Sequence, residues 1–351
     1  MKIRNFFAIS LVILLSSTAG AIFAQTAAKK AEAPRTNPLL HRLPESDSVA
    51  LIDSRRFFDM ALPKLLASNQ PLLNKINAEI DRIQQRTSID LRKFDDLAIG
   101  VKITKAADGS IDFDPVVLAR GVFNANAIVG ITKLASDGTY REEKSGGHTI
   151  YIFSVKDIAN KQMPEPAGSS VAGAIEGAAD ILSHEIAVTS LSDNTLAIGS
   201  LDRVKETILD KTQVSSDITN LLTPYEGAVV SFAAYTPDGI SQFVKMDNDE
   251  LGKTLGSIRY LAGSLNVTPA ATSAQLLARA GNVDDAQSIF DTAQGAQQLG
   301  GVLLGNSKKA EQKILARVVQ NAKIARTGMD VTVNVSIPQS DLISLLSTIK
   351  K

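Results

Sequence analysis

The residues that could do chemistry are few and lie far apart in the sequence. The chain has 351 residues with no cysteine and three histidines, which excludes thiol nucleophiles, cysteine-ligated zinc and iron–sulfur clusters and argues against a multi-histidine metal site. Gly252-Lys253-Thr254 resembles the end of a phosphate-binding loop, but Asp247 stands where that loop requires its first glycine. A carboxylate there repels phosphate. We therefore predict no cofactor, no metal and no catalytic residue.

A serine hydrolase requires a serine between two glycines at a strand-to-helix turn. Gly199-Ser200-Leu201 lacks the second glycine, and Ser200 is better assigned as the N-cap of a helix. The alternative that stays open is an envelope hydrolase whose site is assembled from distant residues around His148 or His184.

Basic residues are concentrated near the C-terminus. The segment from Lys308 to Arg326 holds six basic residues and one acid, and Lys309, Lys313 and Arg317 are spaced four apart, as on one face of a helix. These three are the candidate partner-binding residues, for an anionic polymer, lipid headgroups or an acidic partner. The alternative is an ordinary solvated helix face.

One local pattern recurs six times: a β-rich run, a polar cap and an amphipathic helical stretch. The strand runs of these units are 49–52, 116–120, 195–199, 229–235, 275–279 and 331–337. Further strands are expected at 97–104, 140–144, 148–155 and 185–190, and Gly146-Gly147 is typical of a hairpin turn. Strands that follow one another without a helix pair as hairpins, so the predicted fold class is α+β, with partly antiparallel sheets and helices packed on them.

Two of the units resemble each other in sequence. Leu118-Ala119-Arg120 is followed by a cap at Asn124, and Leu277-Ala278-Arg279 by a cap at Asn282. This similarity indicates an internal duplication. We predict two α+β lobes, 43–214 and 221–351, separated within the weakly hydrophobic stretch from Asp210 to Pro224.

The N-terminus has the order of a secretory signal peptide. Lys2 and Arg4 precede an apolar run of ten residues, and small residues follow. We predict cleavage after Ala24, with Ala21 as the alternative, and a flexible leader over 25–42. The run falls short of the ~20 residues of a membrane-spanning helix, so we expect a periplasmic or secreted protein without a transmembrane span.

The charge balance gives no attraction to nucleic acid. The chain has 37 basic and 37 acidic side chains, and removal of residues 1–24 leaves a slight acidic excess. The expected partner is therefore an envelope or extracellular component of unknown identity.

Several runs resemble a known group of proteins. LPESDSVALID (43–53), FDDLAIG (94–100), EEK (142–144), GHTIY (147–151) and LSDNTLAIG (191–199) are similar to secreted proteins of soil bacteria of the acidobacterial type, a group without an established activity. The resemblance covers most of residues 43–349. It implies a source and a compartment and no catalytic residue. The favoured interpretation is a non-catalytic extracytoplasmic binding or structural protein.

Overall fold

The computed structural model describes residues 37–87, 89–105, 111–136, 139–154, 185–236 and 249–347. The predicted signal peptide, His184, Asp247 and the helical stretch of the fourth unit after residue 236 lie outside the described residues. Within them the chain has an α+β fold dominated by antiparallel strand pairs, as the sequence predicts.

Along the described chain, groups of consecutive strands are separated by helices. The strands are β1 (Ser48–Asp53), β2 (Phe94–Lys105), β3 (Ile111–Gly121), β4 (Tyr140–Ser145), β5 (His148–Ser154), β6 (Glu185–Ser192), β7 (Thr195–Gly199), β8 (Val230–Tyr235), β9 (Ile258–Val267), β10 (Ala271–Ala280), β11 (Lys323–Thr327) and β12 (Asp330–Pro338). The helices are α1 (Ser54–Arg56, the π-helical Phe57–Ala61 and Leu62–Leu65), α2 (Gln70–Thr87), α3 (Ala125–Ala135), α4 (Leu201–Leu209), α5 (Ser216–Leu222), α6 (Asp249–Gly256), α7 (Val283–Gly305), α8 (Ala310–Asn321) and α9 (Gln339–Ser347).

The described chain divides into two compact units. Unit 1 comprises Asn37–Arg55 and Asn77–Asp217, and unit 2 comprises Arg56–Ile76 and Ile218–Lys351. The division differs from the predicted lobes because residues 56–76 group with the C-terminal unit, although they lie early in the sequence.

Unit 1 is a sheet covered by helices on both faces. Its strand order is β1-β2-β3-β7-β6-β5-β4. On one face, Val204 of α4 packs against Ile150, Ile152 and Ala187. On the other face, α3 packs through buried side chains against β5, β6 and β7. Because successive side chains of a strand point to opposite faces, the central strands of this unit carry apolar residues at consecutive positions.

Unit 2 carries its helices on one face of its sheet. Its strand order is β11-β12-β10-β9-β8. Val331 of β12 packs with Ala286 and Ile289 of α7, and Ile337 of the same strand packs with α8 and α9. Residues 331 and 337 are an even number of positions apart and therefore share a face. The opposite face carries a ladder of polar side chains, with Ser264, Gln275, Asn334 and Lys323 as cross-strand partners.

The two units have the same order of elements around their longest strand pairings. In each unit, three consecutive strands form a meander, and a helix follows the third strand. Two later strands form a hairpin, and the second strand of that hairpin pairs with the third strand of the meander. The third strands are β3 and β10, which carry the two Leu-Ala-Arg runs. Internal duplication remains a prediction, and it agrees with these equivalent positions.

The predicted helix caps are confirmed. The Asn124 side-chain oxygen accepts from Ala127 N at 3.0 Å, and Asn282 accepts from Asp285 N at 2.8 Å. Ser200 accepts from Arg203 N at 3.3 Å. Each bond satisfies a backbone donor that the first helical turn leaves free.

Three local features add to the sequence predictions. The leader is packed at its end, because Leu39 and Leu40 are buried and the Asn37 side chain donates to Leu97 O at 3.0 Å. The stretch from Asp210 to Pro224, in which we predict the boundary between the lobes, contains helix α5 with buried side chains, and the two units divide between Asp217 and Ile218. The basic helix ends at Asn321, and the last two basic residues of the 308–326 segment belong to β11.

Candidate docking surface

The most exposed apolar cluster in the described residues lies on the last two turns of α7. Leu299 is 66% exposed, Val302 61% and Leu303 74%. Their spacing places them on one side of a helix. Burying a leucine side chain is worth about 1.5–3 kcal/mol, so three such side chains left in water within two turns indicate a surface that meets something else.

This apolar side is out of phase with the buried side of α7. Ala286 and Ile289 face the sheet, and an α-helix advances 100° per residue. Continuing the buried side along the helix leads to Gly300 and Leu304 rather than to the exposed cluster. The cluster therefore does not extend the core-facing stripe.

Helix α8 covers the opposite side of the same turns. The Gln297 side chain donates to Val319 O at 2.8 Å and to Ala322 O at 2.7 Å, which satisfies carbonyl groups at the end of α8. Gly301 is buried, and a Cβ there would lie 2.9 Å from Gln320 Cγ. The absence of a side chain at Gly301 thus permits close approach of α8 and leaves the apolar cluster pointing away from it.

Lysines follow the apolar cluster along the chain, in the short connection to α8 and near the start of that helix. Lys308, Lys309 and Lys313 are exposed, and within the described part of the chain none of them forms an ion pair with a carboxylate. The stretch 292–310 contains no acidic residue. We call Leu299, Val302, Leu303, Lys308, Lys309 and Lys313 the hairpin tip.

The connection is held in a defined conformation by Ser307. Its hydroxyl accepts from Lys309 N at 3.1 Å and donates to the Gln312 side chain. Lys309 is the N-cap residue of α8 and makes no side-chain capping bond. Its ammonium group is therefore not used by the turn that positions it.

The structure separates Arg317 from the other two basic candidates. Its Nη2 donates to the Asp341 carboxylate of α9 at 2.8 Å. Asp341 is the more buried partner, with its side chain 17% exposed. Arg317 thus joins α8 to α9, whereas Lys309 and Lys313 remain available to a partner.

Ser190 and His148 are not arranged as a nucleophile and its base, as the hydrolase alternative would require at this position. The Nδ1 of His148 lies 2.9 Å from the backbone oxygen of Ser190, and the Ser190 hydroxyl donates to the Asn126 side chain at 2.7 Å rather than to the imidazole. A nucleophilic serine must hydrogen-bond its base. Within the described segments, no group of three or more His, Asp or Glu residues could hold a metal ion.

A second polar cluster lies at the start of α4. Burial raises the pKa of the Asp114 carboxyl, against the lowering effects of its hydrogen bond with Ser200 and of the Arg203 charge. Arg203 is 1% exposed and pairs with Glu206. Its Nη2 donates to Ser46 Oγ at 2.7 Å. This cluster fastens α4 to the N-terminal loop of unit 1, so its polar groups serve packing.

Sequence reasoning singled out Lys309 and Lys313 of the hairpin tip as candidates and missed its apolar half. The signal is present in the sequence: Leu299, Val302 and Leu303 are apolar positions outside the phase set by Ala286 and Ile289. Assigning every apolar residue of a helix to the core hides such a second stripe.

Comparison with known proteins gives no family. The sequence matches no protein-family model and no curated protein. The solved structures that this chain resembles include two crystal forms of TP0453. Form I has a TM-score of 0.40 and 11% identity, covering 92% of this chain and 100% of that one. Form III has a TM-score of 0.42 and 12% identity, covering 90% and 99%. A likeness of this degree carries no information on activity.

Proposed function

We propose that this protein is a non-catalytic extracytoplasmic binding or structural component that docks onto an envelope partner through the hairpin tip. The observation that carries the proposal is the exposure of Leu299, Val302 and Leu303 beside three lysines without ion-pair partners among the described residues. Such surfaces mark interaction sites in proteins that otherwise bury large apolar side chains.

Export is part of the proposal. Its support is the charged, apolar and small-residue order of residues 1–24. Intact-mass measurement of the exported protein should give a chain that begins at Gln25. A mature chain that still begins at Met1 would contradict this and indicate an N-terminal anchor. None of the helices in the described ranges is long and apolar enough to span a membrane.

Docking is tested by sedimentation with the native envelope fraction. Replacing Lys308, Lys309 and Lys313 together with Gln should release the protein into the supernatant, because these side chains face water and supply the attraction. The matched control replaces Lys144, Lys211 and Arg326 with Gln, which removes the same charge from exposed positions elsewhere. Equal association of both triple variants would contradict docking through the tip.

The hydrolase alternative makes an opposite prediction. Turnover of an ester, peptide or glycoside by the purified protein, abolished by His148→Gln or His184→Gln, would overturn the non-catalytic assignment. The Nδ1 of His148 lies against a backbone carbonyl group, so Nε2 is the ring nitrogen whose role the His148→Gln variant tests.

A further inference from the structure

The apolar side chains and the lysines of the hairpin tip together indicate the kind of surface that it binds. Three apolar side chains project from one side of α7, Lys308 and Lys309 lie in the connection that follows, and Lys313 lies near the start of α8. An exposed apolar helix side followed closely by cations matches a surface that presents anions in a plane above a hydrocarbon layer. We infer that the partner is an anionic lipid bilayer surface. This inference rests on the proposed function and specifies its partner.

The positive charge of the tip lysines favours an anionic lipid over a neutral one. No acidic residue interrupts 292–310, and Glu311, in the first turn of α8, is the single acid between Asp291 and Asp330. A lysine near an anionic membrane contributes about fivefold in affinity, and the effect is screened within a Debye length. The three lysines of the tip together account for about a hundredfold.

The apolar side chains supply the part of binding that salt does not remove. A side chain that is more than half exposed in water gains its transfer free energy only when another phase covers it. Leu299 and Leu303 are one turn apart, and Val302 lies between them, so one shallow insertion covers all three. Together the two leucines should be worth at least about tenfold in affinity.

Two glycines of α7 lie on the side of the helix that faces α8, which leaves the exposed apolar side chains on the opposite side. Gly300 and Gly301 face α8, where a Cβ at Gly300 would lie 3.3 Å from Val319 Cγ1. Leu299, Val302 and Leu303 of the same turns lie on the outer side, away from α8. A groove for a peptide would instead require a concave surface, and the tip offers a single helix face.

Vesicle binding provides the test. The chain from Gln25, which contains every described residue and lacks the apolar N-terminal run, is sedimented with vesicles of phosphatidylglycerol and phosphatidylcholine and with vesicles of phosphatidylcholine alone. We expect binding to the anionic vesicles at least tenfold stronger, with affinity falling as salt is raised. Equal binding to both compositions, or binding to neither, would overturn the inference.

Two variants assign the binding to the tip. Leu299→Ser with Leu303→Ser should lower anionic-vesicle affinity at least about tenfold, and the Lys308, Lys309 and Lys313 to Gln variant should remove its salt dependence. The matched apolar control is Val122→Ser with Leu209→Ser, at positions that are 68% and 45% exposed. If the control variant binds anionic vesicles as weakly as the leucine variant of the tip does, the assignment of binding to the tip is wrong. Circular dichroism confirms that each variant is folded.

The outcomes for vesicles and for the envelope fraction separate the two proposals. If the tip variants lose envelope association while vesicle binding is absent, the lipid inference is wrong and docking through the tip stands. If the tip variants alter neither measurement, both proposals are wrong.

Discussion

Arg203 and Ser46 are 157 positions apart in the sequence and are joined by a buried hydrogen bond of 2.7 Å from Nη2 to Oγ. Ser46 in turn donates to Pro44 O at 2.8 Å. A Cβ at Gly100 would lie 2.5 Å from Ser46 Oγ, so the serine occupies space that a side chain of β2 would fill. The arginine therefore fixes the loop before β1 onto α4 within unit 1.

Replacing Arg203 with Ala should lower the free energy of unfolding by about 3 kcal/mol. The substitution removes a fully buried side chain and leaves a cavity and an unpaired Ser46 contact. Arg203→Met, which keeps most of the volume, should lose less because it leaves a smaller cavity. Urea denaturation measures both variants, and an Ala variant as stable as the unaltered protein would contradict this role.

The two Leu-Ala-Arg strands end in cross-strand ion pairs that differ in burial. Asp96, the partner of Arg120, is 4% exposed, whereas Asp330, the partner of Arg279, is 26% exposed. Double-mutant cycles with Asn and Gln should give a coupling energy of about 2 kcal/mol for the first pair and below about 1 kcal/mol for the second. Equal couplings would show that the difference in burial has no energetic effect.

Ionisation of Asp114 should make unit 1 less stable as pH rises. Because burial raises the pKa of this carboxyl in the folded state, the folded protein binds the proton more tightly than the unfolded chain does. Stability contributed by the protonated group is complete below the unfolded pKa of about 3.9 and falls as pH passes through the raised folded value. Asp114→Asn should remove this dependence.

The check is the pH profile of chemical denaturation. Asp114→Asn should gain stability relative to the unaltered protein at pH 7 and show less or no gain at pH 3. The comparison variant Asp90→Asn should behave oppositely: burial raises the pKa of Asp90, but its hydrogen bonds from Arg92 outweigh burial and lower it. That carboxylate therefore stabilises at neutral pH and ceases to do so in acid.

Two glycines of α7 should respond differently to alanine. No atom lies within 4 Å of a Cβ added at Gly295, whereas one added at Gly301 meets Gln320 at 2.9 Å. Gly295→Ala should stabilise by about 0.5–1 kcal/mol because alanine loses less backbone entropy in a helix. Gly301→Ala should destabilise by about 1 kcal/mol through the contact with α8. Thermal melts of both variants measure the contrast, and two gains of equal size would contradict the packing at Gly301.

Local features of this protein follow from neighbouring residues. The caps at Asn124, Asn282 and Ser200 depend on donors three positions away. The Gly146-Gly147 turn follows from the positive φ angles that glycine adopts freely. Strong alternation and β-branched side chains identify β12 in the same way. These features depend on few residues close in the chain, so the sequence by itself determines them.

The tertiary structure decided what depends on distant residues. β9 lacks a strong pattern of its own and is held by pairing along both edges, with β8 and β10. Residues 56–76 join unit 2 through contacts such as that of Gln339 with Lys64 O. Whether Leu303 meets a core or water depends on where α8 lies against Gly301. Burial is a property of packing between elements. The sequence therefore singles out Lys309 and Lys313 as candidates, whereas the exposure of Leu299, Val302 and Leu303 is decided by the packing of α7 against α8.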